Sequence, residues 1–176
     1  AAAGVEYTAA TGDAAFTYAT YDAGDCDGVS SDMSQLIAQR TQLSNPDDHV
    51  ILDTVMSKEP LGPAVPFGDE RWFNVVKWVV YALIAAEELG VTQANVTQMR
   101  DTSENVSVRR LLGVQDNLGT LKLGLEDDWA FDAISAVGNY GESFDRNVGP
   151  DTPLGIARGL NALWTKGGIM YAPPIR

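Results

Sequence analysis

The chain is poor in the residues that build metal and thiol chemistry. Its 176 residues contain a single cysteine, Cys26, and a single histidine, His49. One cysteine rules out a Cys-rich metal site and any disulfide within the chain, and one histidine cannot supply the usual multi-histidine ligand sets. The residues alone leave Cys26 as a buried structural thiol, a reactive thiol, or a residue whose partner lies outside this chain.

Basic residues are also scarce, because 12 Lys and Arg face 24 Asp and Glu, a formal net charge of −12. Such a chain repels nucleic acid and anionic membrane surfaces, and no Lys/Arg cluster offers a local exception, so we expect no nucleic-acid partner. The longest uncharged apolar run, residues 78–86, is far below the roughly 20 residues that span a bilayer. The three N-terminal alanines are too short for a secretory signal, so we expect a cytoplasmic protein, a processed one, or a piece of a longer one.

The first third of the chain has a mixed α/β pattern. Apolar spacing predicts helices over residues 16–22 and 31–43, and strands over residues 26–30 and 50–55. Residues 57–63 then contain two prolines and a glycine, which predicts a crossover between two lobes.

The second part is mostly helical, which makes the predicted fold class α/β with a helix-rich second part. Its longest helix, residues 69–89, carries a broad apolar face, and a face that wide implies burial on more than one side. A short strand interrupted by prolines is predicted over residues 61–67, before this helix. A final short strand is predicted over residues 169–172. The other predicted helices cover residues 92–99, 106–112, 127–137, 139–147 and 152–164.

No set of residues predicts catalysis. Cys26 and His49 are the only residues that could form the Cys/His pair of a cysteine enzyme. Nothing in their spacing places them together. Asp25, Asp27 and Asp32 lack the twelve-residue pattern of a calcium loop. We therefore expect neither an enzyme nor a metal or cofactor site.

Carboxylates that could pair for acid/base work have plainer interpretations. Glu87 and Glu88 are adjacent on the long predicted helix, so they point in different directions and suit a solvated edge. Residues 126–128 are all acidic and suit the start of a helix, where carboxylates favour the helix dipole. Glu142 is the remaining candidate.

Asp32 lies where a predicted strand gives way to a predicted helix. In open α/β sheets, ligands bind at the carboxyl ends of strands, and a carboxylate there can accept a charge-assisted hydrogen bond from a ligand ammonium. The same position suits a helix N-cap. Both interpretations stay open from position alone.

Long, ordered segments of the chain resemble general L-amino-acid-binding periplasmic proteins, the two-lobe solute-binding components of ABC transporters. They cover nearly the whole chain and are far more specific than a short motif. These segments are residues 21–27, 31–32, 45–50, 57–63, 85–92, 137–142, 158–168 and 170–174.

The resemblance implies a partial two-lobe periplasmic-binding-protein fold that closes around an L-amino acid and is recognised by a membrane permease in the periplasm. It places residues 1–56 in the latter part of lobe two, residues 57–63 in the hinge crossover, and residues 64–176 in the returning C-terminal part of lobe one. Asp32 matches the acid that holds the ligand α-ammonium. Cys26 matches a position expected to pair with a cysteine earlier in lobe two.

The arginine that clamps the ligand carboxylate in this family lies in the half that the chain does not contain, so no arginine here is assigned that role. Delivery of amino acids therefore belongs to the complete architecture. The alternative is a truncated structural relative that binds nothing and self-associates, because half a fold leaves apolar surface and sheet edges uncovered.

Overall fold

The computed structural model describes residues 4, 6–115 and 123–175, so the N-terminal alanines lie outside the described residues. The chain divides into two compact units, unit 1 (Ala1–Leu61) and unit 2 (Gly62–Arg176). The division falls inside residues 57–63, where the prolines predict a crossover. The assignment of the units to two lobes stays a prediction.

Unit 1 contains two short helices, α1 (Ala14–Asp22) and α2 (Met33–Arg40), followed by a 3-10 turn (Pro46–Asp48). An aspartate begins each helix: the Asp13 carboxylate accepts from the Phe16 amide, and that of Asp32 accepts from the Gln35 amide. Each bond satisfies an amide that has no partner within its helix. Both helices are predicted from the sequence, and the predicted range for α2 is a few residues wider than the observed one.

Polar contacts join α1 to the loop that follows α2. The Asp22 carboxylate accepts from the Ser44 amide at 2.9 Å and from the Ser44 hydroxyl at 2.8 Å. The Tyr21 hydroxyl and His49 Nδ1 are 2.8 Å apart. Tyr18 is the buried hydrophobic residue among the described part of this unit. Unit 1 is therefore organised by surface hydrogen bonds more than by a core.

The strands predicted over residues 26–30, 50–55 and 61–67 are wrong for the described chain, where these segments pair with no neighbour. A strand is stabilised by its neighbours, and the described residues offer none here. Val50 and Leu52 consequently stay 78% and 73% exposed. The final predicted strand is reduced to one isolated parallel bridge between Leu163 and Met170.

Unit 2 is a helical assembly built around α3 (Glu70–Glu88), which packs against three later helices. The helices predicted over residues 69–89, 106–112, 127–137 and 139–147 are confirmed with small shifts. The helix predicted over residues 92–99 begins later, at Val96. The later helices are α4 (Val96–Thr102), α5 (Val106–Leu111), α6 (Trp129–Val137) and α7 (Tyr140–Val148). Helices α5, α6 and α7 pack against α3, whereas α4 packs mainly against α5 and α6.

A contiguous core lies where these helices meet. It is built from small and branched residues that exclude water where α3 faces its neighbours. Its buried members are Ala82, Ala86, Val91, Val96, Val108, Leu111, Leu112, Ala130 and Ile134. Within the described ranges, no helix combines the length and apolar character needed to cross a membrane.

The helix predicted over residues 152–164 is wrong. Turns and two 3-10 turns (Gly159–Asn161 and Trp164–Lys166) occupy this segment. Gly155 and Gly159 adopt φ of 61° and 48°, outside the right-handed helical region. The Thr152 hydroxyl accepts from the Leu154 amide within a tight turn, so the Thr-Pro pair starts a turn and no helix.

Candidate functional site

Asp32 is the sequence-predicted ligand residue, and the structure places it at the N-cap of α2. Its Oδ1 accepts from the Gln35 amide at 2.8 Å and from the Ser34 hydroxyl at 2.5 Å. The Ser34 hydroxyl, and next the Gln35 amide, hold the pKa of the Asp32 carboxyl below its usual value. The N-cap interpretation is confirmed, and the carboxylate is anionic at neutral pH.

The cap role leaves part of this carboxylate available. Both short bonds end on Oδ1, and no side-chain hydrogen bond among the described residues ends on Oδ2. The flanking residues Ser31 and Met33 are exposed, and Asp32 itself is half-buried. The two ion pairs found within the described ranges do not include Asp32. A half-buried carboxylate that is not in an ion pair can accept a charge-assisted hydrogen bond from an ammonium group.

Cys26 and His49, the conventional pair for thiol chemistry, have separate surroundings. Cys26 is a free, half-buried thiol. His49 Nδ1 lies 2.8 Å from the Tyr21 hydroxyl, with ring centroids 5.2 Å apart. No hydrogen bond joins the two candidates in the part of the chain that the structure describes. The contact that the structure shows for His49 is therefore with α1, from the loop that follows α2.

The adjacent carboxylates Glu87 and Glu88 point to different partners, as their helical spacing requires. Glu87 Oε2 accepts from Arg158 Nη2 at 2.9 Å, with the side chains 10% and 20% exposed. Glu88 Oε1 accepts from the Trp164 indole N–H at 3.2 Å. They do not converge on a common point, so they do not form the paired carboxylates of an acid/base site.

Sequence reasoning missed Arg158, which organises the C-terminal segment. Its guanidinium donates to Glu87 and to the Asn161 carbonyl, and lies 5.3 Å from the Tyr140 ring centroid and 5.2 Å from that of Phe144. Burial raises the pKa of the Tyr140 phenol. A Cβ on Gly141 would lie 2.9 Å from Arg158 Nη1 and 2.9 Å from the Glu87 carboxyl carbon, so a larger residue there would displace the ends of this ion pair.

Glu142, the third carboxylate candidate, forms a capping box at the start of α7. The Asn139 side chain accepts from the Glu142 amide at 2.9 Å, while Glu142 Oε2 accepts from the Asn139 amide at 2.8 Å. The Glu142 carboxylate also accepts from the Gln93 backbone amide at 3.0 Å. The side-chain amide of Asn139 donates to the Val91 carbonyl. Residues 137–142, which resemble the binding-protein family, therefore connect the start of α7 to the segment that follows α3.

Among the described residues, no group of three or more His, Cys, Asp or Glu side chains is placed so that it could hold a metal ion. The acidic run at residues 126–128 likewise has structural contacts. Asp128 pairs with Arg100 at 3.3 Å, and that guanidinium lies 4.3 Å from the Phe131 ring centroid.

The known proteins that are similar to this chain are named as amino-acid-binding proteins. A general L-amino-acid-binding periplasmic protein of Rhizobium johnstonii is 57% identical over 160 residues, which cover 90% of this chain and 46% of the relative. A glutamate/glutamine/aspartate/asparagine-binding protein of Rhodobacter capsulatus is 51% identical over 156 residues, 89% of this chain and 46% of the relative. No family model matches the chain.

A solved structure agrees with these relatives. An ABC transporter periplasmic binding protein from Brucella ovis, with glutathione bound, is 51% identical and superimposes with a TM-score of 0.84. The match covers 90% of this chain and 50% of that one. The predicted resemblance is confirmed, and the chain spans about half the length of the relatives it matches.

Proposed function

We propose that this chain, a relative of the amino-acid-binding periplasmic proteins of ABC transporters, forms half of such a binding component. The observation that carries the proposal is 57% identity over 160 residues to a general L-amino-acid-binding protein. The activity belongs to a molecule about twice as long, because the chain covers 46% of that relative.

The proposed complete fold is α/β with two lobes. Residues 1–56 would belong to the latter part of lobe two, residues 57–63 to the crossover, and residues 64–176 to lobe one. Support comes from the division between Leu61 and Gly62 and from the exposed apolar segment at residues 50–56. Such a segment suits a strand whose neighbours come from the remaining half.

Asp32 is the proposed ligand residue, and it would hold the α-ammonium of an L-amino acid. Its lowered pKa and the open side of its carboxylate support this role. In the periplasm, the lobes would close around the amino acid, and the membrane permease would recognise the closed form. The proposal involves no cofactor and no catalytic step, in keeping with relatives that are named as binding proteins.

The test is calorimetric titration with pooled L-amino acids, for the 176-residue chain and for the chain mixed with the complementary half of the Brucella ovis protein. Asp32→Asn keeps an acceptor for the helix cap but removes the charge. Asp13→Asn is the matched control, because Asp13 caps α1 by the same kind of bond. We expect Asp32→Asn to abolish binding and Asp13→Asn to leave it unchanged.

Equal binding by the wild-type chain and Asp32→Asn would reject the ligand role of Asp32 but leave the binding function standing. Absence of heat at millimolar ligand in the mixture, although the two halves form a complex, would reject amino-acid binding itself.

The second candidate function is a structural relative that self-associates. It is favoured by the exposure of Val50, Leu52, Val55, Met56 and Phe67. Large apolar side chains on a surface favour association between chains. Sedimentation analysis of the chain alone distinguishes the candidates, because a stable oligomer that does not dissociate when the complementary half is added supports this one.

A further inference from the structure

A depression at the C-terminal end of α3 has no part in the proposed amino-acid site. Its volume is about 240 Å³, and it lies within unit 2 between α3, α5 and the last residues of the chain. Most of its walls are apolar. They are formed by Ala85, Leu89, Leu111, Ala172, Pro173, Pro174 and Ile175.

Two aromatic rings line one side of this depression. Trp164 and Tyr171 meet edge to face, with centroids 5.7 Å apart. They remain 51% and 62% exposed, although the segment that carries them is held by backbone bonds between Trp164 and Met170 and between Met170 and Ala162. Electron-rich ring faces held in place in this way attract cations.

Among the described residues that line the depression, Glu88 is the charged one, so the charge they contribute is negative. Glu88 lines the depression, and the Trp164 indole N–H donates to its carboxylate at 3.2 Å. Its neighbour Glu87 is paired with Arg158, whereas no ion pair among the described residues includes Glu88. Because α3 ends at Glu88, the negative end of the helix dipole adds to this potential.

We infer that this depression is a binding site for a small organic ammonium ion, such as a quaternary or alkylated amine. The cation would lie beside Glu88 and against the Trp164 and Tyr171 rings, while its alkyl groups cover the apolar walls. A strongly hydrated inorganic cation gains nothing from such walls. A zwitterionic amino acid is disfavoured, because none of the described residues that line the depression is basic and could receive its carboxylate.

The test is an NMR titration with tetramethylammonium chloride, which replaces sodium chloride at constant ionic strength. The four tryptophans give four indole N–H signals, and Trp164→Phe identifies the one that belongs to Trp164. We expect this signal to shift and saturate at millimolar ligand while the other three stay in place. Failure of the Trp164 signal to move at hundredfold higher concentration overturns the inference.

Glu88→Gln is the decisive variant, because the amide oxygen can still accept from the indole N–H while the charge is lost. We expect the dissociation constant to rise roughly three- to fivefold, the range for one exposed charge pair. Glu104→Gln removes the same charge from an exposed position outside the depression and should change nothing. Equal weakening by both variants would show that only the overall negative charge of the chain attracts the cation, which overturns the site.

Two further ligands sharpen the result. tert-Butanol matches the shape of tetramethylammonium without its charge and should not saturate the Trp164 signal. Glycine tests the zwitterion and should also leave it unmoved. Saturable binding of tert-butanol with the same affinity would contradict a cation site, and tight binding of glycine would contradict its separation from the amino-acid site.

Discussion

Unit 1 buries one hydrophobic side chain among its described residues, Tyr18, whereas the other buried hydrophobic side chains of the described chain all lie in unit 2. Unit 1 instead relies on exposed hydrogen bonds, such as those from Ser44 to Asp22. Burial of apolar surface is the dominant stabilising term in folding, and exposed polar contacts add little. Unit 2 can therefore support a folded structure better than unit 1 can.

The segments that resemble the binding-protein family also differ between the two units. In unit 2, the Asn139–Glu142 capping box and the Arg158–Glu87 pair hold helices together. In unit 1, Asp32 holds a helix with one carboxylate oxygen only. The unit with the weaker core carries Asp32, the proposed ligand residue.

The largest expected effect is the contrast between a core leucine and an exposed one. Leu112→Ala empties a fully buried site, and should lower the free energy of unfolding of unit 2 by about 2–5 kcal/mol. Leu52→Ala, at an exposed site of unit 1, should change stability by less than about 0.5 kcal/mol. Urea unfolding followed by tryptophan fluorescence reports unit 2 alone, because all four tryptophans lie there.

Unit 1 is followed in the same samples by hydrogen exchange of the α1 and α2 amides. If Leu52→Ala proved as costly as Leu112→Ala, Leu52 would be buried in solution. The contrast between the units would then be lost, and self-association would be favoured.

An intermediate effect is expected at the Arg158–Glu87 pair. Arg158→Met leaves the mostly buried Glu87 carboxylate without its partner, and should destabilise unit 2 by about 2–3 kcal/mol. Arg100→Met breaks the more exposed Arg100–Asp128 pair, whose side chains are 31% and 37% exposed, and should cost about 1 kcal/mol or less. Tryptophan fluorescence during urea unfolding measures both. Equal losses would mean that burial does not set the strength of these pairs.

The smallest effect is expected at the α2 cap in unit 1. Asp32→Ala removes the acceptor of the Gln35 amide and should destabilise α2 by about 1 kcal/mol, whereas Asp32→Asn should be nearly neutral. Hydrogen exchange at the Gln35 amide measures the difference. Faster exchange in Asp32→Asn than in Asp32→Ala would contradict the cap geometry.

The same unit should lose stability in acid. The Ser44 donors lower the pKa of Asp22, and the Ser34 and Gln35 donors lower that of Asp32. A carboxyl whose pKa is lower when folded stabilises the fold above its unfolded pKa of about 3.9, and this contribution is lost as pH falls through the folded value. Carboxyl NMR titration should place both midpoints below about 3.9, the value of an aspartate in an unfolded chain.

Local signals predicted the helix starts well. Asp32, Asp69 and Asn139 each accept from an amide three residues ahead, so their capping roles depend on the adjacent sequence alone. The resemblance to binding proteins was also readable from ordered segments and is confirmed by the relatives. These features require no knowledge of distant neighbours.

Long-range contacts could not be read in this way. Arg158 meets Glu87 across 71 positions of sequence, and no local pattern indicates the pairing. The apolar run at residues 50–55 has strand character but pairs with no neighbour among the described residues, so Val50, Leu52 and Val55 stay exposed. A ligand role for Asp32 likewise depends on groups that surround it in space.

The sequence by itself therefore determined the capped helices, the acidity and the family likeness, because each rests on short-range interactions or on an ordered pattern along the chain. Only the tertiary structure decided that residues 152–164 form turns, that the carboxylate candidates Glu87 and Glu142 are structural, and that Glu88 faces an aromatic depression. The physical reason is that strands, ion pairs and pockets are made by residues that are distant in sequence, and their energies exist only once the chain has brought them together.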